Sequence, residues 1–100
     1  MSPNIRVEMS RIKEFCKKWS VIELALFGSV LRPDFRPESD IDILIGFSSD
    51  ARWNLFDLVE MREELMEIFG RDVDLVEKGT VRNPFRRHSI MTTREVLYAA

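Results

Sequence analysis

A chain of 100 residues with 45% hydrophobic and 32% charged residues can fold around a modest core, and we expect a single domain over residues 1–100. The formal net charge of −2 provides no overall basic field for a polynucleotide, so strong nucleic-acid binding is not expected. With Cys16 as the only cysteine, no apolar stretch of membrane-spanning length and no signal-peptide pattern, we expect no intrachain disulfide, no membrane association and a cytoplasmic location.

The first half of the chain predicts one helix followed by two strands. Apolar residues recur at helical spacing over residues 4–18, with arginines and lysines between them, which indicates an amphipathic helix packed on a sheet. The apolar run 22–27 predicts a strand, and a single helical turn is expected at 30–31 before a proline interrupts it. A second strand is predicted over 40–47, with isoleucines on one face and carboxylates on the other.

The second half predicts a long helix, a short strand and another helix. Residues 54–69 carry an apolar stripe at helical spacing, and Gly70 is the expected C-cap. The third strand is predicted over 72–76. An asparagine–proline pair is typical of a helix start and predicts a helix over 83–91. The segment 95–99 is compatible with either a helix or an edge strand.

This order of elements predicts an α/β fold with a small mixed β-sheet of three or more strands flanked by helices. If Gly28 at the end of the first strand is to meet Asp40 at the start of the second, these two strands must run antiparallel. The long helix that follows fits a parallel crossover from the second strand to the third. Asp74 then lies at the same end of the sheet as Asp40 and Asp42.

The most informative segment is Gly28-Ser29, which ten residues separate from Asp40-Ile41-Asp42. Successive strand side chains point to opposite faces, so Asp40 and Asp42 point the same way and can share a cation such as Mg²⁺. Gly28 lets the backbone approach a ligand, and Ser29 adds a hydroxyl beside N–H groups that can bind phosphate. The segment therefore predicts a phosphate-binding loop facing a metal site, although two aspartates alone would also suit a solvated turn.

These motifs, with Val73-Asp74-Leu75 downstream, resemble those of the minimal nucleotidyltransferases, small members of the polymerase-beta-like superfamily. The resemblance covers residues 22–76 and implies the polymerase-beta-like nucleotidyltransferase fold. It implies a catalytic set of carboxylates that bind Mg²⁺, as a two-metal site: Asp40, Asp42 and Asp74. It also implies a set of residues that contact the phosphates of ATP: Gly28, Ser29 and Arg32.

The resemblance further implies a function. Proteins of this kind transfer a nucleotide, here AMP from ATP, to a hydroxyl acceptor, and they are commonly antitoxins that modify a tyrosine of a HEPN-domain toxin partner. Because 100 residues leave no room for the extra domains with which polymerases hold primer and template, we do not expect a polynucleotide polymerase. Two alternatives stay open: a nucleotide-binding module that neutralises a partner by occlusion, and a subunit that modifies small molecules. Whether the chain forms a homo- or hetero-oligomer is also open.

Two positions near the motifs require separate interpretation. Asp72 competes with Asp74 for the role of third carboxylate; we favour Asp74, because apolar residues flank it and it matches the family position. Pro33 follows Arg32 where the family often has glycine, and it stiffens the loop and removes an N–H that could contact phosphate. An ordinary surface arginine is the alternative role for Arg32.

Two aromatic residues after the second strand could stack a nucleotide base. We expect Phe56 to pack in the core, as we do Leu55 of the helical stripe, and we leave the role of Trp53 open. Cys16 lies on the apolar side of the first helix and is expected in the core rather than as a nucleophile.

A basic segment precedes the C-terminus: Arg82, Arg86, Arg87 and His88. It is compatible with a local anion-binding patch, and we favour a solvated helix face. His88 has no cysteine or second histidine near it, so we do not expect it to bind a metal.

Overall fold

The computed structural model describes residues 7–36 and 38–100 of the chain. Its elements in chain order are α1 (Met9–Lys18), β1 (Val21–Phe27), β2 (Ile41–Phe47), α2 (Leu55–Phe69), β3 (Val73–Glu77), α3 (Pro84–Thr93) and β4 (Glu95–Ala99). Short 3₁₀ turns at Gly28–Leu31 and Lys78–Thr80 follow β1 and β3. The predicted α/β class, with helices flanking a small mixed sheet, is confirmed.

The sheet has the strand order β3-β2-β1-β4. Strand β1 pairs antiparallel with both β2 and β4, whereas β2 and β3 run parallel. The predicted orientations are confirmed, and the undecided C-terminal segment is an edge strand. This topology brings the end of β1 and the starts of β2 and β3 to the same end of the sheet.

Each face of the sheet is covered by helices. Helices α1 and α2 pack on one face in a core that includes Ile12, Phe15, Leu24, Leu26, Ile43, Met61 and Leu65. Helix α3 covers the other face through a smaller cluster: Ala25, Phe27, Leu44, Val81 and Ile90. Consecutive residues of β1 alternate between the two clusters, as the period of a strand requires.

Capping interactions determine where α2 begins and ends. The Asn54 side chain accepts a hydrogen bond from Asp57 N (2.9 Å), and the Asp57 side chain accepts one from Asn54 N (3.0 Å). Gly70 ends the helix in the left-handed region with φ 71°, and its N–H donates to Met66 O (2.8 Å). The predicted C-cap is confirmed.

Several predicted boundaries need correction. Helix α1 begins at Met9 rather than near residue 4, because Glu8 is extended and Val7 packs against the core; residues 4–6 of that prediction lie outside the described residues. Strand β1 begins at Val21, one residue before the predicted start at residue 22. Strand β3 begins at Val73 rather than Asp72, whose carbonyl accepts a hydrogen bond from Ile41 N (2.9 Å).

The start of α2 also differs from the prediction. Leu55 is 72% exposed and Phe56 is 82% exposed, so their expected core packing is wrong. Only Met61 and Leu65 of the helix are fully buried, and further apolar residues pack partly against the core: Leu58, Met66, Ile68 and Phe69. Helical periodicity alone does not show where that contact stops.

Cys16 is buried in the core, as predicted. Burial raises the pKa of its thiol to about 12, so the thiolate required of a nucleophile is scarce at neutral pH. None of the helices in the described ranges is both long enough and apolar enough to cross a bilayer.

Candidate active site

The site begins at Gly28, where β1 ends. Its φ of +73° lies in a region that L side chains rarely adopt. A Cβ at this position would collide with Asp42 Oδ2 and lie 3.3 Å from Asp42 Cγ. Both the backbone conformation and the close approach therefore require glycine, and the result is direct apposition of the Gly28 backbone and the Asp42 carboxylate.

Asp42 lies half-buried on β2, opposite Phe27 in the antiparallel register. Burial raises its carboxyl pKa, and the charge of Asp74 raises it further. A hydrogen bond from the Ser29 backbone opposes this shift, the charge of Asp40 adds to it, and the charge of Arg86 opposes it. The pKa of Asp42 is therefore raised overall, first by burial and then by the charges of the two other aspartates, which the Ser29 amide and Arg86 only partly offset.

The other two predicted carboxylates lie at the same end of the sheet. Asp74 is directly opposite Asp42 in the parallel register, and Asp40 immediately precedes β2. Both are exposed. Asp72 is not among the charges that shift the pKa of Asp42, which distinguishes it from Asp74. The structure thus places the three carboxylates that the sequence singled out at one end of the sheet.

These carboxylates do not form a finished metal cage. In the described part of the chain, no three Asp, Glu, His or Cys side chains converge closely enough to hold an ion by themselves. Mg²⁺ is usually bound by one or two carboxylates and completed by substrate phosphates and water. The concentrated negative charge and the oxygen donors around Asp42 fit a hard divalent cation of that kind.

A groove of about 880 Å³ runs from Asp42 between the Gly-Ser turn and α3. Gly28, Ser29 and Arg32 line one side, so the structure also brings the predicted phosphate-contacting residues together. Arg32 N donates to Ser29 O (3.0 Å), which closes the turn, and its guanidinium is 3.8 Å from Asp34 Oδ1. Arg32 therefore borders the groove as an exposed side chain.

The opposite side of the groove was missed by the sequence interpretation. It consists of Arg86, Ser89, Ile90 and Thr93 from α3. Their spacing of three, one and three residues is that of one helix face, and the Asn83–Pro84 pair indicated where this helix begins but not which face meets the groove. The favoured interpretation of residues 82–88, a solvated helix face, agrees with their exposure, and the alternative of a local anion patch stays a prediction.

The aromatic residues after β2 lie elsewhere. The Trp53 ring is 5.1 Å from that of Trp19 in an edge-to-face arrangement, and its Nε1 donates to Trp19 O (3.0 Å). The start of α2, with Phe56, follows the carboxyl end of β2, whereas Asp42 is near the amino end. Neither residue lines the groove, and His88 does not either.

The fold and this end of the sheet define a class of protein. The profile of the nucleotidyltransferase domain family matches residues 9–97. The chain therefore belongs to this family and is a nucleotidyltransferase.

Among its relatives is a Methanocaldococcus jannaschii protein, MJ1379, named as a candidate protein adenylyltransferase. It is 36% identical over 90 residues, which span 82% of this chain and 90% of the relative. The protein adenylyltransferase MntA of Thermococcus cleftensis is 33% identical over 86 residues, spanning 86% of this chain and 82% of the relative.

Solved structures of toxin–antitoxin complexes share the fold. A chain in a complex with AMP-PNP matches with a TM-score of 0.73 and 20% identity, over 94% of this chain and 75% of that one. A chain in the complex of a tri-AMPylated Shewanella oneidensis HEPN toxin with an MNT antitoxin matches with a TM-score of 0.64 and 19% identity, over 92% and 70%. At these identities the likeness shows the fold alone.

Proposed function

We propose that this chain is a Mg²⁺-dependent adenylyltransferase that moves AMP from ATP to a tyrosine hydroxyl of a HEPN-domain toxin and thereby acts as its antitoxin. One observation carries the chemical part of this proposal. Asp42 and the Gly-Ser turn lie against each other at one end of a groove, and Asp40 and Asp74 lie at the same end of the sheet.

Each residue has a distinct role in the proposed reaction. Asp40 and Asp42 would hold Mg²⁺, and Asp74 would share in this coordination. Bound ions would neutralise charge on the attacking and leaving oxygens of an in-line displacement. The backbone of Gly28 and Ser29 contacts the phosphates, and Arg32 supplies a cation at the edge of the groove.

The bond changes are those of nucleotidyl transfer. The acceptor oxygen forms a bond to the α-phosphorus of ATP, and the bond from that phosphorus to the bridging oxygen of the β-phosphate breaks. The hydroxyl proton passes to Asp74, and pyrophosphate leaves with the electron pair. Such a reaction depends on positioning and on the neutralisation of charge rather than on a covalent protein intermediate.

The proposed acceptor rests on similarity to other proteins and not on the geometry of the groove. A relative that covers most of this chain is named a protein adenylyltransferase, and a structural neighbour is a complex that contains an AMPylated HEPN toxin. We place the reaction in the cytoplasm, where ATP and Mg²⁺ are supplied.

The test uses the product of the reading frame adjacent to this chain's gene, which we expect to be a HEPN-domain protein. That protein is incubated with ATP, Mg²⁺ and a substoichiometric amount of this chain, and its intact mass is measured. We expect AMP adducts on many partner molecules per molecule of this chain, none with Asp74→Asn, and normal adducts with Asp72→Asn as the matched control.

Two outcomes would overturn the proposal. An unmodified partner that is inhibited one-to-one by both the wild type and Asp74→Asn would establish occlusion instead of transfer. An adjacent product without a HEPN domain, left unmodified while this chain adenylylates a small molecule, would refute the proposed acceptor.

A further inference from the structure

Helix α3 presents one arginine to the groove in a defined position. Asn83 Oδ1 accepts hydrogen bonds from Phe85 N (2.9 Å) and Arg86 N (3.1 Å), which fixes the first turn of the helix. These amides are thereby engaged, so the helix start offers the groove a side chain rather than free N–H groups. That side chain is Arg86, on the same helical face as Ser89 and Thr93.

Arg86 lines the groove together with Asp42, but its guanidinium forms no ion pair with that carboxylate. Its charge acts on Asp42, yet within residues 7–36 and 38–100 the guanidinium has no hydrogen bond or ion pair. Arg86 is also exposed. A cation with this freedom at the edge of a carboxylate site can bind an anionic ligand that enters the groove.

The neighbouring arginine behaves differently. Arg87 Nη1 donates to Lys78 O (3.0 Å), and its side chain lines a separate small cavity with Leu44 and Val81. Adjacent residues on a helix point about 100° apart, so one substitution can be compared with the other on the same helix turn. Arg87 is thus a matched control for Arg86.

We propose that Arg86 binds the β- and γ-phosphates of the nucleotide from the α3 side of the groove and holds the pyrophosphate as it leaves. This inference rests on the proposed function, which it deepens by completing the phosphate site opposite Gly28 and Ser29. A guanidinium presents a planar fork of donors that matches phosphate oxygens in pairs. As the bond from the α-phosphorus breaks, negative charge grows on the leaving group, where a preplaced cation stabilises it.

The electrostatics of the groove explain why such a cation is needed. A triphosphate that approaches Asp40, Asp42 and Asp74 meets three negative charges of its own sign. Bound Mg²⁺ would offset this repulsion close to the carboxylates, and terminal phosphates placed farther along the groove would require a second counter-charge. Arg32 is near Asp34, which reduces the net positive charge on its side. Arg86 provides the counter-charge on the opposite side.

The decisive measurement is the affinity for inorganic pyrophosphate in the presence of Mg²⁺, by titration calorimetry. Pyrophosphate carries neither base nor ribose, and its binding requires no transfer reaction. We expect Arg86→Ala to weaken binding about tenfold or more, because it removes a charge-assisted pair of hydrogen bonds. Arg86→Lys, which retains the charge and loses the fork, should be intermediate, and Arg87→Ala should match the wild type.

Unfolding of the ligand-free variants separates binding from a structural role. Because Arg86 is exposed and held by no described side chain, we expect Arg86→Ala to leave the melting temperature unchanged. Equal pyrophosphate affinity in Arg86→Ala and the wild type would overturn the inference, even if Arg86→Ala weakened binding of the acceptor protein.

The outcomes also separate this inference from the proposed function. If the wild type transfers AMP and Arg86→Ala binds pyrophosphate normally, only the role of Arg86 is wrong. If the wild type binds neither ATP nor pyrophosphate with Mg²⁺, the proposed function fails and the inference fails with it.

Discussion

Two carboxylates on neighbouring strands of the same sheet have opposite surroundings. Glu23 on β1 receives hydrogen bonds from Lys78 Nζ (2.8 Å) and Arg94 Nε (2.6 Å). Burial alone would raise its pKa, but these two cations outweigh burial and lower it. The pKa of Asp42 is raised instead, since burial and the nearby aspartates outweigh the Ser29 amide and Arg86.

These opposite surroundings distinguish a structural carboxylate, Glu23, from a functional one, Asp42. The chain supplies Glu23 with fixed partners, and the group contributes to stability without a ligand. Around Asp42 the chain accumulates like charge and leaves the compensation to a ligand. We therefore expect substitutions at the two sites to separate stability from transfer activity.

The largest effect is expected at Asp42. Asp42→Asn should reduce transfer at least about a thousandfold, because it removes a central metal ligand worth several kcal/mol in the transition state. The folded protein should be as stable as the wild type or slightly more stable, since the substitution removes like-charge repulsion. Transfer rates and thermal melts check both halves; a destabilised variant would place Asp42 in the same class as Glu23.

The second effect concerns the contact between the turn and Asp42. Gly28→Ala should destabilise the fold by about 2 kcal/mol or more, because a positive φ is strained and the new Cβ meets Asp42. Gly70→Ala is the matched control: its φ is 71° and nothing lies within 4 Å of the position that a Cβ would occupy. The difference between the two variants in the free energy of unfolding, measured with denaturant, gives the cost of the clash with Asp42. If both variants lose the same free energy of unfolding, the Gly28 turn tolerates a side chain.

A smaller and purely structural effect is expected at Glu23. Glu23→Gln should lower the free energy of unfolding by about 1–2 kcal/mol at neutral pH and leave transfer unchanged. A lowered folded-state pKa gives stability that is present above the ordinary value of 4.5 and is lost as the pH falls through the folded value. The variant should therefore lose less stability than the wild type as the pH falls below 4.5. If Glu23→Gln and the wild type lose the same stability below pH 4.5, the ion pairs of Glu23 with Lys78 and Arg94 do not have this role.

The smallest effect is expected on the exposed start of α2. Phe56→Ser should change the free energy of unfolding by less than about 0.5 kcal/mol, because the ring is in solvent. Leu65→Ala in the same helix should cost about 2–5 kcal/mol. Urea unfolding of the two variants checks which face of α2 is buried. A large decrease in the free energy of unfolding for Phe56→Ser would show that Phe56 packs in the core, as the sequence suggested.

Local patterns in the sequence were sufficient to predict most of the fold and one of the two sides of the groove. The Gly-Ser turn and the caps at Asn83 and Gly70 act through neighbours a few residues away, so their patterns are readable directly, and the placement of Asp74 opposite Asp42 followed from the predicted strand directions. Features that depend on contacts between distant elements were not. The exposure of Phe56 and the groove-facing position of Arg86 depend on which faces of α2 and α3 pack against the rest of the fold, which periodicity alone does not show.

The edge-to-face pair of Trp19 and Trp53 has a spectroscopic consequence. Both tryptophans of the chain are in this one cluster, which lies outside the groove. Intrinsic fluorescence will therefore report on the packing of α1 against the segment after β2, and unfolding will separate two indoles that are far apart in sequence. Quenching by a bound adenine is not expected, so fluorescence measures folding independently of ligand occupancy and can calibrate every stability comparison above.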